Sequence, residues 1–109
     1  MDDRRIEILV FDGCPNLDEV VDRAYAASKG TGVTVSIGVT LVRSEEEALH
    51  LRFLGSPTVR VDGNDVDPTA LTRDDFGMQC RIYAVDGRFE GAPPVDWIAA
   101  ALRHQARCP

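Results

Sequence analysis

Phe11-Asp12-Gly13-Cys14-Pro15-Asn16-Leu17 joins two segments of different hydrophobic periodicity. The segment before it, residues 6–11, is a short apolar run with β-branched residues, which predicts a buried strand. In the segment after it, residues 16–29, apolar side chains recur every three or four positions, which predicts an amphipathic helix that ends near Gly30. The quoted stretch is therefore a strand-to-helix turn, and its cysteine lies where the helix begins.

The rest of the chain extends this start into an α/β fold. Residues 33–39 alternate apolar with small polar side chains, which predicts a strand parallel to the first. Ser44 and Glu47 form a capping box that opens a second helix, ended by Gly55. The remaining predicted elements are strands at 58–64 and 81–87 and a final helix opened by Pro93-Pro94. The order β-α-β-α-β-β-α predicts a mixed central sheet with helices on both faces.

The length of 109 residues predicts a single domain over residues 1–109, built around one core. An insertion at about residues 64–79 separates the last two predicted strands, and it is longer than a plain hairpin needs. The acidic side chains of this insertion are predicted to face solvent; they are Asp65, Asp67, Asp74 and Asp75.

Composition excludes several classes of partner. The net charge of −6 leaves no basic surface of the kind that nucleic-acid binding requires. No apolar run approaches the roughly 20 residues needed to span a bilayer, and the first residues do not resemble a signal peptide. The three cysteines, at positions 14, 80 and 108, are odd in number and too widely spaced for a secreted disulfide framework. We therefore expect a cytoplasmic protein without nucleic-acid or membrane partners.

Cys14 is the strongest candidate for a nucleophile. Pro15 suits the first helical position, where a missing N–H is harmless, so Cys14 is predicted to be the N-cap. The free N–H groups of Asn16 and Leu17 and the helix dipole would then favour thiolate over thiol. Nearby carboxylates oppose this effect; they are Asp12, Asp18 and Glu19. The alternative is a buried cysteine that only caps the helix.

A second motif, Gly55-Ser56-Pro57-Thr58, opens a later strand. Proline is permitted at the first position of a strand on any fold, and the X-Pro bond there is a reasonable place for a cis peptide. By itself this motif is weak. Its weight comes from its occurrence in the same short chain as Gly13-Cys14-Pro15.

Together the two motifs resemble the active site of the thioredoxin superfamily. In that superfamily a reactive cysteine lies at a strand-to-helix turn, and a cis-proline lies beside the thiol. The resemblance implies that Cys14 is the nucleophile and that Ser56 offers its backbone to the substrate. The substrate-binding residues that it implies are Gly13, Pro15, Ser56, Pro57 and Thr58.

The chain also departs from thioredoxins. Leu17 stands where thioredoxins carry the second cysteine of Cys-x-x-Cys, so no disulfide can form within the motif. Residues 91–96 lack the Gly-Gly-x-Asp signature of glutathione binding. The whole pattern, which includes Cys80-Arg81-Ile82-Tyr83, resembles a family of small bacterial thioredoxin-like proteins. In some of its members selenocysteine takes the place of Cys14, and some carry the label alkylmercury lyase.

These observations predict a thiol-based redox protein that needs no cofactor. Cys14 would attack a disulfide or a peroxide, and Cys80 or an external thiol would resolve the intermediate. The partner would be a thiol or disulfide substrate, with proteins among the candidates. For Cys80, an ordinary core cysteine is an equally good interpretation, and Cys108 is interpreted as an incidental thiol near the terminus.

Two alternatives stay open from the sequence. Cys14, Cys80 and a carboxylate such as Asp12 would suit a soft ion, since thiolates select mercury, copper(I) or zinc. A non-catalytic thioredoxin-like module would instead bind a protein partner on its cis-proline surface. An unreactive Cys14 would favour the module, and thiol-dependent metal uptake would favour the metal site.

Overall fold

The computed structural model describes residues 4–104. This part of the chain is a mixed α/β fold with a four-stranded sheet in the order β2-β1-β3-β4, a separate two-stranded sheet and three α-helices. The strands are β1 (Arg4–Val10), β2 (Val35–Leu41), β3 (Thr58–Val61), β4 (Asn64–Asp65), β5 (Tyr83–Val85) and β6 (Arg88–Glu90), and the helices are α1 (Leu17–Thr31), α2 (Glu45–His50) and α3 (Val95–Arg103). No helix in this described part is long and apolar enough to cross a membrane.

The first strand, helix and second strand form the predicted β-α-β unit. β1 pairs with β2 in parallel along its whole length. α1 runs slightly beyond its predicted end, because the residue that stops it is Gly32, whose φ of 74° is left-handed and whose N–H donates to the Ser28 carbonyl at 2.9 Å. β3 pairs antiparallel with the other side of β1, with Leu9 opposite Thr58. The end of β1 and the start of β3 therefore meet at one edge of the sheet.

The sheet buries side chains on both faces, as the sequence predicts. One face packs against α1 and α3; its cluster includes Ile6, Ile8, Val10, Val20, Ala24, Ile98 and Leu102. On the other face Leu9 packs with Val42, Ala48 and Phe53, which puts α2 on that side. Because successive side chains of a strand point to opposite faces, β1 supplies both clusters.

The prediction of a strand at residues 81–87 is corrected in both extent and pairing. The strand beside β3 is β4, which lies inside the predicted insertion and follows a tight turn at Asp62-Gly63. Residues 83–90 form a second hairpin, β5 and β6, around Asp86-Gly87, and this hairpin is a sheet of its own. Asp62 and Asp86 both have a φ of 51°, and the Asp-Gly pairs suit such turns because both residues tolerate positive φ.

The second helix is shorter than predicted. Ser44 accepts the Glu47 N–H at 3.1 Å, as the capping box requires, but the Glu47 carboxylate accepts the N–H of Arg43 at 2.7 Å. α2 ends at His50, well before Gly55. Arg60 of β3 donates to the carbonyls of Leu51 and Arg52, at 2.7 and 3.1 Å, and so ties the end of α2 to the sheet.

Candidate functional site

The turn that carries Cys14 follows the end of β1. Gly13 has a φ of 82°, which a residue with a side chain rarely adopts. The Cys14 N–H donates to the Phe11 carbonyl at 3.3 Å and closes the turn. The Cys14 side chain is half-buried against the core cluster of α1 and α3, whereas Pro15 is exposed. The thiol is thus held by the core and still open to solvent.

The prediction that Cys14 caps α1 is wrong. The N-cap is Asn16, and within the described chain its side chain caps none of the helix N–H groups. α1 begins at Leu17, because Pro15 and Asn16 belong to the turn and not to the first helical turn. The helix start lies near Cys14 along the chain, but the capping geometry assumed from the sequence is absent at that residue.

Ser56 connects the Cys14 turn to the start of β3. The Ser56–Pro57 peptide bond is cis, and both residues are buried. The Ser56 hydroxyl accepts the Phe11 N–H at 3.2 Å. Phe11 therefore contacts Ser56 through its N–H and Cys14 through its carbonyl.

Ser56 also pairs with residues 79–81, which we call the closing segment. The Ser56 N–H donates to the Gln79 carbonyl at 2.8 Å, and the Ser56 carbonyl accepts the Arg81 N–H at 3.0 Å. These bonds make a parallel bridge between Ser56 and Cys80. The insertion therefore returns the chain to the edge of the sheet where Cys14 lies, and Cys80 is an exposed free thiol there.

The two cysteines are linked to Ser56 in different ways. Paired strands lie roughly 4.8 Å apart, so Cys80 is one strand spacing from Ser56. Cys14 is linked to the same serine indirectly, because its N–H bonds to Phe11 and the Phe11 N–H bonds to Ser56. The Ser56 backbone, which the sequence predicts to contact a substrate, is bonded to the closing segment instead.

Thr58, another predicted substrate-binding residue, is buried and used internally. Its hydroxyl donates to the Gly55 carbonyl at 2.6 Å and accepts from an Arg81 guanidinium nitrogen at 3.1 Å. It is only 1 % exposed. Thr58 therefore helps to hold the closing segment through its bond to Arg81. A substrate could contact Thr58 only by displacing that segment.

Arg81 is the residue that sequence reasoning missed. Its buried guanidinium makes a forked ion pair with Asp65, at 2.7 and 3.0 Å, and a longer contact with Asp67 at 3.4 Å. It also stacks over the Tyr83 ring, 4.6 Å from the centroid. Burial alone would lower the pKa of Arg81, but the hydrogen bonds with Asp65 and the carboxylate charges outweigh it and raise the pKa. The guanidinium therefore stays charged.

The expectation that the acidic insertion is solvated holds for only part of it. Asp65 and Asp67 are mostly buried as partners of Arg81, whereas Asp74 and Asp75 are exposed. The sequence carries no signal for this placement, because apolar Ile82 and Ala84 are exposed, whereas Arg81 lies with Tyr83 on the buried face. A charge on such a face needs a partner of opposite sign.

Tyr83 joins this buried network to the cis-proline. Its hydroxyl donates to the Pro57 carbonyl at 2.6 Å. Burial raises the pKa of Tyr83 well above its usual value, so the phenol keeps the proton that this bond requires. The backbone on both sides of the Ser56–Pro57 bond is thereby fixed.

The third side of the site is the loop between β6 and α3. A Cβ added to Gly91 would lie 2.5 Å from the Asn16 amide nitrogen, so this loop approaches the start of α1 closely. Arg23 of α1 donates to the carbonyls of Ala92 and Pro93, at 3.2 and 3.0 Å, and holds the loop there.

A metal-binding cluster and a cavity are the other features that could bind a ligand. Across residues 4–104, no three His, Cys, Asp or Glu side chains gather as a metal-binding group. A cavity of about 600 Å³ lies between the β4 region and α3; its lining includes Arg4, Val61, Asp65, Asp67 and Trp97. Arg4 starts β1 and Cys14 follows its end, so the Arg4 end of the cavity is separated from Cys14 by the length of β1, roughly 20 Å. Its Asp65 and Asp67 side borders the ion pairs of Arg81.

Comparison with known proteins identifies no relative. No protein-family model, no curated protein and no solved structure matches this chain. The assignment of function therefore depends on the geometry around Cys14 and Cys80.

Proposed function

We propose that this chain is a thiol redox protein in which Cys14 is the nucleophile and Cys80 is the resolving thiol. The observation that carries the proposal is the bridge between Ser56 and Cys80, because the same serine bonds to the turn that holds Cys14. A core cysteine, the alternative interpretation of Cys80, would not be exposed at this edge.

The chemistry uses two thiols and two electrons. The Cys14 thiolate attacks one sulfur of a disulfide, which forms a mixed disulfide and releases the first thiolate. The Cys80 thiolate then attacks the Cys14 sulfur, which forms the Cys14–Cys80 disulfide and releases the second thiolate. With a hydroperoxide, Cys14 takes one oxygen as sulfenic acid and an alcohol or water leaves; Cys80 then condenses with it and releases water. An external thiol reductant returns both cysteines to thiols.

We also infer that the fold is thioredoxin-like and that the protein works in the cytoplasm. The sheet order β2-β1-β3-β4, with β1 and β2 parallel and β3 antiparallel, supports the fold assignment. So do the helices on both faces and the position of Cys14 and Pro57 at one edge. Free, reactive thiols are typical of a reducing compartment.

The geometry favours redox chemistry over the binding module. A module that bound its partner through the backbone beside Pro57 would need free donors and acceptors there. The Ser56 N–H and carbonyl are instead bonded to the closing segment. The soft-metal alternative gains no support from a three-ligand cluster among residues 4–104.

The test is to oxidise the protein with one equivalent of oxidant and to identify the products by peptide mass spectrometry. Cys108 lies outside the described residues, so Cys108→Ser serves as the parent. We expect a Cys14–Cys80 disulfide within the monomer, because the segments that carry the two thiols both bond to Ser56. In Cys80→Ser, oxidation should stop at a mixed disulfide or sulfenic acid on Cys14.

A matched control moves the second thiol without removing it. The double variant Cys80→Ser/Ile82→Cys keeps a thiol on the same exposed face but shifts it about 6.6 Å along the strand. Since a disulfide needs Cα atoms within about 7 Å, this variant should not form the bond efficiently. If it forms the bond as readily as the parent, or if Cys14 reacts no faster than Cys80, the proposed roles are wrong.

A further inference from the structure

We propose that the oxidant that reacts at Cys14 is a small molecule, a low-molecular-weight disulfide or hydroperoxide, and not a protein disulfide. The inference rests on the proposed function and specifies its substrate. Its basis is that the closing segment already fills the strand position beside Ser56. Cys80 thus occupies the place that the cysteine of an extended polypeptide would take.

An extended polypeptide binds beside a strand through the backbone donors and acceptors of that strand. The strand start that is linked to the Cys14 turn is that of Ser56. All three of its polar groups are engaged within the chain: the N–H with Gln79, the carbonyl with Arg81 and the hydroxyl with Phe11. Ser56 is only 2 % exposed. A peptide would have to remove the closing segment before it could pair here.

The closing segment is firmly anchored at both ends. At one end the Gln79 side-chain amide donates to the carbonyls of Leu54 and Asp75, at 3.2 and 2.6 Å. At the other end the buried Arg81 is held by its fork to Asp65 and by Thr58. Displacing the segment would therefore break several polar contacts at once, including the buried bond between Arg81 and Thr58.

Gly55 shows how closely the segment packs. A Cβ added at residue 55 would lie 3.0 Å from both the Gln79 carbonyl oxygen and the Arg81 Cβ. Its φ of 124° also belongs to the region that favours glycine. The sequence around the cis-proline is therefore adapted to contact its own chain at this edge.

A small oxidant meets neither obstacle. It needs to reach only the half-buried Cys14 sulfur, and it makes no backbone pairs. A polypeptide that approaches the exposed side of the closing segment meets Cys80 and not the backbone of Ser56.

The experiment compares two probes with the same leaving group on the Cys80→Ser/Cys108→Ser protein. One probe is bis(2-hydroxyethyl) disulfide, and the other is a short extended peptide whose cysteine carries a mixed disulfide with 2-mercaptoethanol. For the peptide probe only the Cys14–peptide disulfide, which forms as 2-mercaptoethanol leaves, is counted by mass spectrometry. Hydrogen peroxide is run in parallel to separate the two small-oxidant chemistries. Rates at Cys14 are divided by the rates of the same probes with N-acetylcysteine. We expect the peptide probe to be at least about tenfold slower at Cys14 on this scale, as expected if the segment must first open.

Gln79→Ala tests the cause. Loss of its hydrogen bonds should loosen the segment and raise the peptide rate by about 2- to 10-fold, the factor expected for one side-chain hydrogen bond. The small-disulfide rate should stay within about twofold, since that probe does not require opening. Asp74→Asn, at an exposed position in the same insertion, is the matched control and should change neither rate.

The outcomes separate this inference from the proposed function. If Cys14 is no faster than N-acetylcysteine with every small oxidant, the proposed function fails. If Cys14 is fast with small oxidants and equally fast with the peptide in the parent protein, only the present inference is overturned. An equal gain for both probes in Gln79→Ala would also overturn it. The parent comparison stands even if Gln79→Ala does not fold.

Discussion

The turn that carries Cys14 and the segment that carries Cys80 are constructed in opposite ways. The Cys14 turn is closed by a local bond to Phe11, and Asp12, Gly13 and Pro15 around it are exposed. The closing segment is held by residues distant in the sequence, through a buried arginine and paired backbone groups. The proposed nucleophile is thus on an accessible turn, whereas its proposed partner is on a segment held by buried contacts.

This difference fits the roles proposed for the two thiols, nucleophile for Cys14 and resolving thiol for Cys80. A resolving thiol must be in place when the intermediate forms, and a rigid supporting network provides that placement. A nucleophile must instead meet an incoming oxidant, which exposure permits. The comparison predicts that substitutions under the closing segment cost stability, whereas substitutions on the Cys14 turn mainly change reactivity.

The largest effect is expected for Arg81→Met. It removes the buried cation and leaves the Asp65 and Asp67 carboxylates without their partner, which should lower the free energy of unfolding by about 3–5 kcal/mol. Urea unfolding measures this. Arg88→Met, whose side chain is 71 % exposed, is the control and should change it by less than about 0.5 kcal/mol. Equal losses in the two variants would contradict the supporting role of Arg81.

Tyr83→Phe should have the next largest effect. It removes the donor to the buried Pro57 carbonyl and should cost about 1–3 kcal/mol, because that acceptor is then unsatisfied. Thermal and urea unfolding report the loss. Tyr25→Phe, at a residue 60 % exposed on α1, should be neutral. A neutral Tyr83→Phe would mean that the carbonyl finds water or another donor.

Ser56→Ala tests the bond that joins the two sides of the site. The Phe11 N–H loses its acceptor, at an expected cost of about 1 kcal/mol. The Cys14–Cys80 disulfide should also form more slowly, because the Cys14 turn is no longer tied to the residue that pairs with Cys80. Asn16→Ala, on the turn side and without a capping bond among the described residues, should leave both quantities nearly unchanged. If Ser56→Ala forms the disulfide at the parent rate, the bond between Ser56 and Phe11 does not position the Cys14 turn relative to Cys80.

The smallest effect is expected for the ion pair between Arg4 and Asp62, at the opposite end of the sheet. This pair shows how much a partly exposed ion pair contributes to stability, for comparison with the buried pair of Arg81. Partial burial would raise the pKa of Asp62, but hydrogen bonds from the Arg5 N–H and the Arg4 guanidinium outweigh it and lower the pKa below 3.8. The carboxylate therefore contributes stability above the unfolded value of 3.8, and this contribution is lost as the pH falls through the lowered pKa. Asp62→Asn should be less stable than the parent at pH 6, and the gap should close in acid.

Acid unfolding curves of Asp62→Asn and of the exposed control Asp22→Asn check this sign. A gap that widens in acid would show that Asp62 does not stabilise the fold as a carboxylate. A gap at pH 6 as large as the Arg81→Met loss would remove the distinction between buried and surface pairs.

Local features were the predictable part of this molecule. The α1 periodicity, the Ser44 cap and the apolar run of β1 depend on neighbours within a few positions, and these predictions were confirmed within a few residues. The cap of α1 was the local exception, because Pro15 suited the first helical position but the turn extends through Asn16.

The contacts that the sequence did not reveal are long-range. Nothing near Arg81 in sequence announces Asp65 or Thr58, and the short β4 has too few residues to produce a pattern. The parallel bridge of Cys80 with Ser56 depends on the path of the whole insertion. Such pairings are set by tertiary packing, which periodicity does not encode.

The insertion between β4 and the closing segment leads the chain to the register in which Cys80 lies opposite Ser56. In an extended pair, a shift of register by one place exchanges inward and outward side chains. Such a shift at Ser56 would turn the cysteine inward and the arginine outward, so the second thiol and the buried cation would be lost together.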